Sequence, residues 1–309
     1  MRGRGGDAPR SEARALPGST YRVVLADAGP YHPGMRVAVI GHVEWIEFVR
    51  VPRVPAAGDI VHASESWEEP GGGGAVAAVQ LARLADECTF FTALGDDALG
   101  HRARDELAAL GLRVEASSRP ARQRRAFTHI DAAGERTITV IGERMAPLAA
   151  DPLAWDRLSA CDAVYVTACD EATLHRARRA RTLVATSRIV PLLRAAGVAL
   201  DAIVGSANDP AERYAAGDIA PPPRLVVRTA GGSGGTYERE GASFAYPASP
   251  LPGPVVDAYG CGDAFAAGLT FALATGRPPD AAVRLAARCG AAVLTGRGPY
   301  AGQLRRADL

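Results

Sequence analysis

From Val37 onward the chain alternates short apolar runs with helical patterns, and this alternation constrains the fold more than any other feature. Val37 to Ile40, Thr89 to Ala93, Ala163 to Thr167, Leu183 to Thr186, Ala202 to Gly205 and Leu225 to Arg228 read as strands. Between and after them lie helical segments. One starts in the glycine-rich run Gly71 to Leu84, and one carries Leu99, Ala103, Leu107 and Leu110 and closes on Gly111. Two alanine-rich segments begin at Asp263 and Asp280. Strands alternating with helices imply an α/β fold, a mostly parallel central sheet with helices on both faces. Two stretches break the alternation. Phe127 to Asp131 and Thr137 to Ile141 look like a hairpin around Ala132 to Glu135, and the Pro/Gly-punctuated stretch through Pro70 holds alternating segments such as Asp59 to Ala63. They predict a small separate sheet, with strands within about 44–70 and 123–142, acting as a lid.

With 309 residues, 48% of them hydrophobic, the chain can build one large domain, read here as 35–309. Residues 1–34 are rich in Gly, Arg, Pro and Ala, show no sustained period and read as a tail outside the fold, with Met35 as the natural start. The 35 basic and 34 acidic side chains leave a net charge of +1. That balance speaks against a nucleic-acid backbone or an anionic membrane as partner and favours a small molecule. No apolar run reaches the ~18 residues a membrane span needs, and no secretory pattern opens the chain, so a cytoplasmic protein is expected. Five cysteines, with no Cys-x-x-Cys, argue against a disulfide framework or a zinc site. Cys161 and Cys169 read as small buried hydrophobes.

The segment richest in chemistry is Asp257-Ala258-Tyr259-Gly260-Cys261-Gly262-Asp263, directly before the helical run Ala264 to Ala274. Glycines at 260 and 262 permit a tight turn, so that several N–H groups and the positive end of the helix converge into an anion hole. Asp263, in the first turn, would then lie beside a phosphate in transfer and could accept the proton of an attacking hydroxyl. The alternative is that Asp263 only caps its helix.

This segment resembles the D-T-x-G-A-G-D signature of the ribokinase-like (PfkB) family, with Ala258 for Thr and Cys261 for Ala. Further segments resemble the family in the same order. Gly71 to Ala78 is similar to G-G-x-x-x-N-x-A, Gly95 to Gly100 to G-x-D-x-x-G, Pro55 to Asp59 to P-x-x-G-E, and Thr229 to Gly234 to the T-x-G-x-x-G turn near the nucleotide. The resemblance spans roughly 36–300. It implies a ribokinase-like three-layer sandwich with a β-sheet lid, and a kinase that uses ATP and Mg²⁺ on a sugar, nucleoside or related alcohol. It also leaves room for a monovalent cation and a homodimer through the lid. Carried over, Asp263 is the catalytic base, and Gly260, Cys261 and Gly262 form the anion hole. Thr229, Gly231, Gly234, Asp257, Gly260 and Gly262 attend the nucleotide, and Gly71, Gly72, Val76, Glu44 and Asp263 attend the substrate. The thiol of Cys261, at a helix start, is expected to be acidified by the helix and shielded by ATP.

Three departures bear on the substrate. Where the family has G-x-x-N-x-D, this chain has Gly41-His42-Val43-Glu44-Trp45-Ile46, and Val76 replaces an Asn. Two groups that grip sugar hydroxyls are absent, so Ile46 and Val76 are expected to form an apolar wall, with Glu44 as the main polar contact and a less polar, nucleoside-like or aromatic alcohol as substrate. Ser206-Ala207-Asn208-Asp209 takes the place of N-x-x-E, making Asp209 the candidate for a water-mediated Mg²⁺ contact. The plainer reading is that Asp209-Pro210 starts a helix. A catalytically idle ligand-binding regulator of the same fold is the alternative function, opposed by the retained Asp263. A dinucleotide-binding oxidoreductase is disfavoured because no Gly-x-Gly-x-x-Gly follows the first strand.

Overall fold

The computed structural model describes residues 33–309. Most of the tail expected over 1–34, up to residue 32, lies outside the described residues. The chain runs β1 (Arg36–Ile40), β2 (Glu44–Arg50), β3 (Glu65–Gly71), α1 (Gly73–Leu84), β4 (Glu87–Gly95), α2 (Ala98–Ala109), β5 (Arg113–Arg119), β6 (Arg125–Ile130) and β7 (Arg136–Ile141). It continues through β8 (Ala163–Val166), α3 (Glu171–Ala177), β9 (Thr182–Thr186), α4 (Val190–Ala196), β10 (Ala202–Ser206), β11 (Val226–Thr229), β12 (Gly235–Arg239), β13 (Ala242–Tyr246), α5 (Cys261–Ala274) and α6 (Pro279–Val293).

Nine strands form the large sheet in the order β13-β12-β11-β10-β9-β8-β1-β4-β5. All its pairs are parallel except β11–β12 and β12–β13. Its period-2 side chains feed two cores. Val37 and Val39 of β1 and Tyr165 of β8 join the core that also holds residues of α1, α2, α5 and α6. Ala38 and Ile40, with Val164 and Val166, join the opposite core beside α3 and α4. Strands buried on both faces read as continuous apolar runs, which is why the sequence showed them.

The second sheet has four strands in the order β3-β2-β6-β7. Its central pair β2–β6 is parallel and its outer pairs are antiparallel. The stretch around Asp59 is not part of it. Residues 52–63 form a loop, in which the Asp59 carboxylate accepts from Ala56 N and pairs with Arg53. Strand β3 begins only at Glu65. Among the described residues no helix is long and apolar enough to cross a membrane.

Candidate active site

In a parallel sheet the C-terminal ends of the strands open on one edge, where loops can converge without disturbing the core. Here the end of β1 leads to His42 and Glu44, that of β9 to Arg188, that of β10 to Asp209 and Glu212, and that of β11 to Thr229. Ser206 and Thr229 are register partners, and Ala207 N donates to Thr229 O at 2.8 Å.

Helix α5 points its N-terminus into this edge. Gly260 precedes it with φ 81°, a left-handed conformation suited to glycine, and a Cβ there would stand 2.9 Å from Val76 Cγ1. No side chain caps α5, so the helix-start N–H groups of Cys261, Gly262 and Asp263 remain for a ligand. A Cβ on Gly262 would meet nothing within 4 Å, which leaves open space before that end. Small residues seat the helix closely against α6: a Cβ on Gly268 would lie 2.7 Å from Cys289 Sγ, and one on Gly290 would lie 3.0 Å from Cys261 O.

No side-chain cap hydrogen bond is made at the start of α5, with Asp263 as the acidic residue of its first turn. The Asp263 carboxyl faces the start of α1, where a Cβ on Gly73 would lie 2.8 Å from Oδ1. Burial, reinforced by the charge of Glu212, pushes its pKa up to about 7, while Arg136 and Arg188 pull the other way. A carboxyl titrating there can accept a hydroxyl proton near neutrality.

Asp257, expected at the nucleotide, is fully buried. Its Oδ1 accepts from Tyr259 N at 2.8 Å and its Oδ2 from Gly298 N at 3.0 Å, so it shapes the turn from inside and has no face to offer a cofactor. Tyr259 ties the two glycine loops together, because Gly72 N donates to its hydroxyl at 3.0 Å. The expected apolar wall is absent. Val76 and Ile46 are both fully buried, Val76 beneath Gly260 and Ile46 against Gly71. The Cys261 thiol is pushed up by burial, against the acidification expected from the helix. Gly231 has φ 57° and open space where a Cβ would be, whereas Gly234 is packed against Tyr246 O.

Glu44 is buried, and its Oε1 accepts from Arg124 Nε at 2.8 Å with His42 Nε2 at 3.9 Å. Burial, with the charges of Arg144, Arg124 and Arg188, lowers the His42 pKa to about 3, so this imidazole is neutral. Gln123 holds the segment in place: its Oε1 accepts from Gly95 N and its Nε2 donates to Val43 O, both at 3.0 Å. Asp97 caps α2 through Gly100 N and accepts from Gln123 N, so Gly95 to Gly100 acts here as scaffold.

Asp209 caps a short 3-10 turn, as the plainer reading had it, with Oδ1 accepting from Ala211 N. Its Oδ2 lies 2.5 Å from Arg188 Nη2, and Glu212 Oε1 lies 2.6 Å from the same nitrogen. Of the two acids, Glu212 is the one whose charge raises Asp263. Glu212, Arg124, Arg136, Arg144 and Arg188 are not among the candidate residues that the sequence pointed to. The basic run Arg122-Gln123-Arg124-Arg125 was the available signal.

The pfkB family carbohydrate kinase profile matches residues 35–197 and 192–305. The chain belongs to that family. A relative from Halopiger xanaduensis, named an ATP-dependent ribose-1-phosphate kinase, is 27% identical over 273 residues, covering 83% of this chain and 91% of that protein. Among solved structures, ribokinase from Thermotoga maritima aligns with a TM-score of 0.70 at 19% identity, over 89% of this chain and 97% of that one. The Arabidopsis thaliana ribokinase complexed with ribose and ATP aligns with a TM-score of 0.68 at 19% identity, over 88% and 96%. As a pfkB kinase the chain is an ATP-dependent phosphotransferase acting on a hydroxyl of a small molecule, and no observation favours a catalytically idle regulator.

Proposed function

We propose that this kinase phosphorylates a sugar-type acceptor bound between Gly72, Gly73 and Glu44, with Asp263 as the base. The observation that carries the reading is the Asp263 carboxyl, uncapped, facing Gly73 and titrating at about 7 beside a helix start whose N–H groups have no side-chain partner. ATP supplies the phosphoryl group. Asp263 takes the acceptor proton as the hydroxyl oxygen attacks, and the N–H groups of Cys261 and Gly262 hold the charge that develops on the moving phosphoryl oxygens. Gly260 contributes the turn that aims them, and Gly231 leaves main chain bare beside Thr229, where a nucleotide can approach.

Among the described residues no three metal-ligating side chains converge into a cage. A Mg²⁺ ion typically rides on the nucleotide phosphates with few carboxylates, and the Glu212 and Asp209 pair fits a water-mediated contact of that kind. It would neutralise phosphate charge. The curated relative is named for a phosphorylated ribose, which favours a furanose-sized acceptor over an aromatic alcohol. We place the protein in the cytoplasm, where ATP is available. Incubation with ATP and a panel of pentoses, their phosphate esters and nucleosides, read by product mass, tests the reading. Wild type should yield a product that Asp263→Asn does not. Turnover by Asp263→Asn at the wild-type rate would overturn the role of Asp263.

A further inference from the structure

The end of β1 and the start of α1 are packed backbone to backbone, and this decides where the next side chain goes. A Cβ on Gly41 would lie 2.8 Å from Gly74 Cα and run into Thr167 Oγ1, and one on Gly74 would lie 2.7 Å from His42 O. The His42 ring is thereby laid along Gly72 and Gly73. Its Cδ2 stands 3.3 Å from where a Gly72 Cβ would be, and its Cε1 3.8 Å from where a Gly73 Cβ would be. The first of these points is 3.3 Å from Glu44 Cγ, and the second is 2.8 Å from Asp263 Oδ1. His42 therefore lines the glycine wall of the acceptor site, with Glu44 at one end and Asp263 at the other.

The ring is buried, yet its polar atoms are poorly answered. Its single side-chain hydrogen bond among the described residues joins Nδ1 to Thr167 Oγ1, at a long 3.5 Å. Nε2 is 3.9 Å from Glu44 Oε1, too far for a hydrogen bond. Glu44 in turn is bonded by Arg124 Nε at Oε1, and its carboxylate retains further acceptor capacity. A neutral imidazole has one N–H and one bare nitrogen. With Thr167 donating to Nδ1, the proton sits on Nε2, where the nearby Glu44 carboxylate also favours it. A donor and an acceptor thus face each other across 3.9 Å. A hydroxyl oxygen about 2.8 Å from each fits that gap, accepting from Nε2–H and donating to Glu44.

We propose that His42 is a specificity-determining residue for this kinase: its Nε2–H and the Glu44 carboxylate together hold a second hydroxyl of the acceptor while Asp263 receives the first. This assignment rests on the reading of Asp263 as the transfer point. It also answers the two places where the family pattern is broken. Ile46 and Val76 are sealed in the core and offer the acceptor no polar atom. His42, reaching in from the turn between β1 and β2, supplies a donor in their stead. A polar pair that fits a hydroxyl penalises an acceptor without one, because both groups then stay desolvated and unpaired. In the reaction the first hydroxyl gives its proton to Asp263, its oxygen bonds to the terminal phosphorus of ATP, and ADP leaves. The second hydroxyl keeps its proton, shared with Glu44.

The test compares ribose with 2-deoxyribose and 3-deoxyribose as acceptors for the full chain. Wild type should favour ribose over one of the two analogues by at least about tenfold in kcat/KM. His42→Phe keeps a ring but no donor. It should lose about tenfold to a hundredfold on ribose, chiefly through the acceptor KM, and less than about threefold on that analogue. His42→Gln, whose amide reaches the place of Nε2, should recover part of the loss, and melting curves confirm that each variant is folded. Equal use of all three sugars by wild type, an equal loss on ribose and the analogue, or a raised KM for ATP alone would overturn the role of His42. Ring-nitrogen NMR resonances, assigned through His42→Gln, give a readout that needs no turnover. They should report an Nε2–H imidazole that does not titrate between pH ~5 and ~8, and should shift when ribose is added to Asp263→Asn with Mg-ADP. An Nδ1–H ring, or resonances that ribose leaves unmoved, would overturn the role of His42 whether or not turnover is seen. Wild-type turnover by Asp263→Asn would instead overturn the role of Asp263.

Discussion

Asp263 is held where ionising it is unfavourable, and that sets its behaviour with pH. With Asp263 as the proposed base, the active form is the carboxylate, so kcat/KM should rise as pH increases through about 7 and level off above it. A pH–rate profile that is flat from pH ~5 to ~8 would exclude Asp263 as the titrating base. Stability runs the opposite way. The folded-state pKa lies above the ordinary 3.8, so the contribution of this group is fully present below 3.8 and is lost as pH rises through about 7. Asp263→Asn should therefore lose about two orders of magnitude or more in turnover. It should melt no lower than wild type at pH ~8, where the native carboxyl is ionised. Asp263→Ala should show no loss of a helix cap, since α5 has none from this side chain. A clear destabilisation of the Ala variant in thermal melts would mean that the carboxyl supports the helix after all.

Among the elements, the β6–β7 hairpin links the small sheet to the segment before α5. Gly134 in its tip has φ 81°, and its carbonyl accepts from Ala258 N at 2.9 Å, while a Cβ there would lie 2.9 Å from Val255 Cγ1. Gly134→Val should destabilise the protein by roughly 1–2 kcal/mol from backbone conformation alone. It should also raise the KM for ATP by loosening residues 255–258, which steady-state kinetics would show; an unchanged KM would mean that the tip contact does not reach the nucleotide. The inner strands of the large sheet were legible because both of their faces are apolar. Strands β3, β5, β12 and β13 were not, because Glu65–Gly71, Arg113–Arg119, Gly235–Arg239 and Ala242–Tyr246 keep faces in water and carry polar residues. The Gly260 to Asp263 turn was legible because its geometry needs contiguous residues of particular types. Arg124, Arg144, Arg188 and Glu212 gain meaning only where separate loops converge, and no local pattern marks that. Ile46 and Val76 misled because aligned position says nothing about which way a side chain packs.

At the scale of the whole molecule, the large sheet is anchored from its first strand. Met35 is buried in the core, and its N–H, like that of Gly34, donates to Asp86 Oδ2 at 2.9 Å. A chain beginning at Met35 should accordingly keep the activity and melting temperature of the full chain, and a marked drop in either would show that residues before 35 support the fold. The C-terminal segment braces the opposite side: Tyr300 Oη donates to Pro70 O at 2.6 Å, and Gln303 Nε2 donates to Val76 O at 2.9 Å. With Tyr259 bonded to Gly72 and Gly134 to Ala258, the loops proposed to receive the acceptor and those proposed to receive the nucleotide share their supports. Such a lid cannot be exchanged between relatives as a free-standing cassette. A lineage that acquires a new acceptor by altering the hairpin alters its grip on ATP in the same step, so changes of substrate range should arise together with compensating changes in residues 255–259 and 298–303.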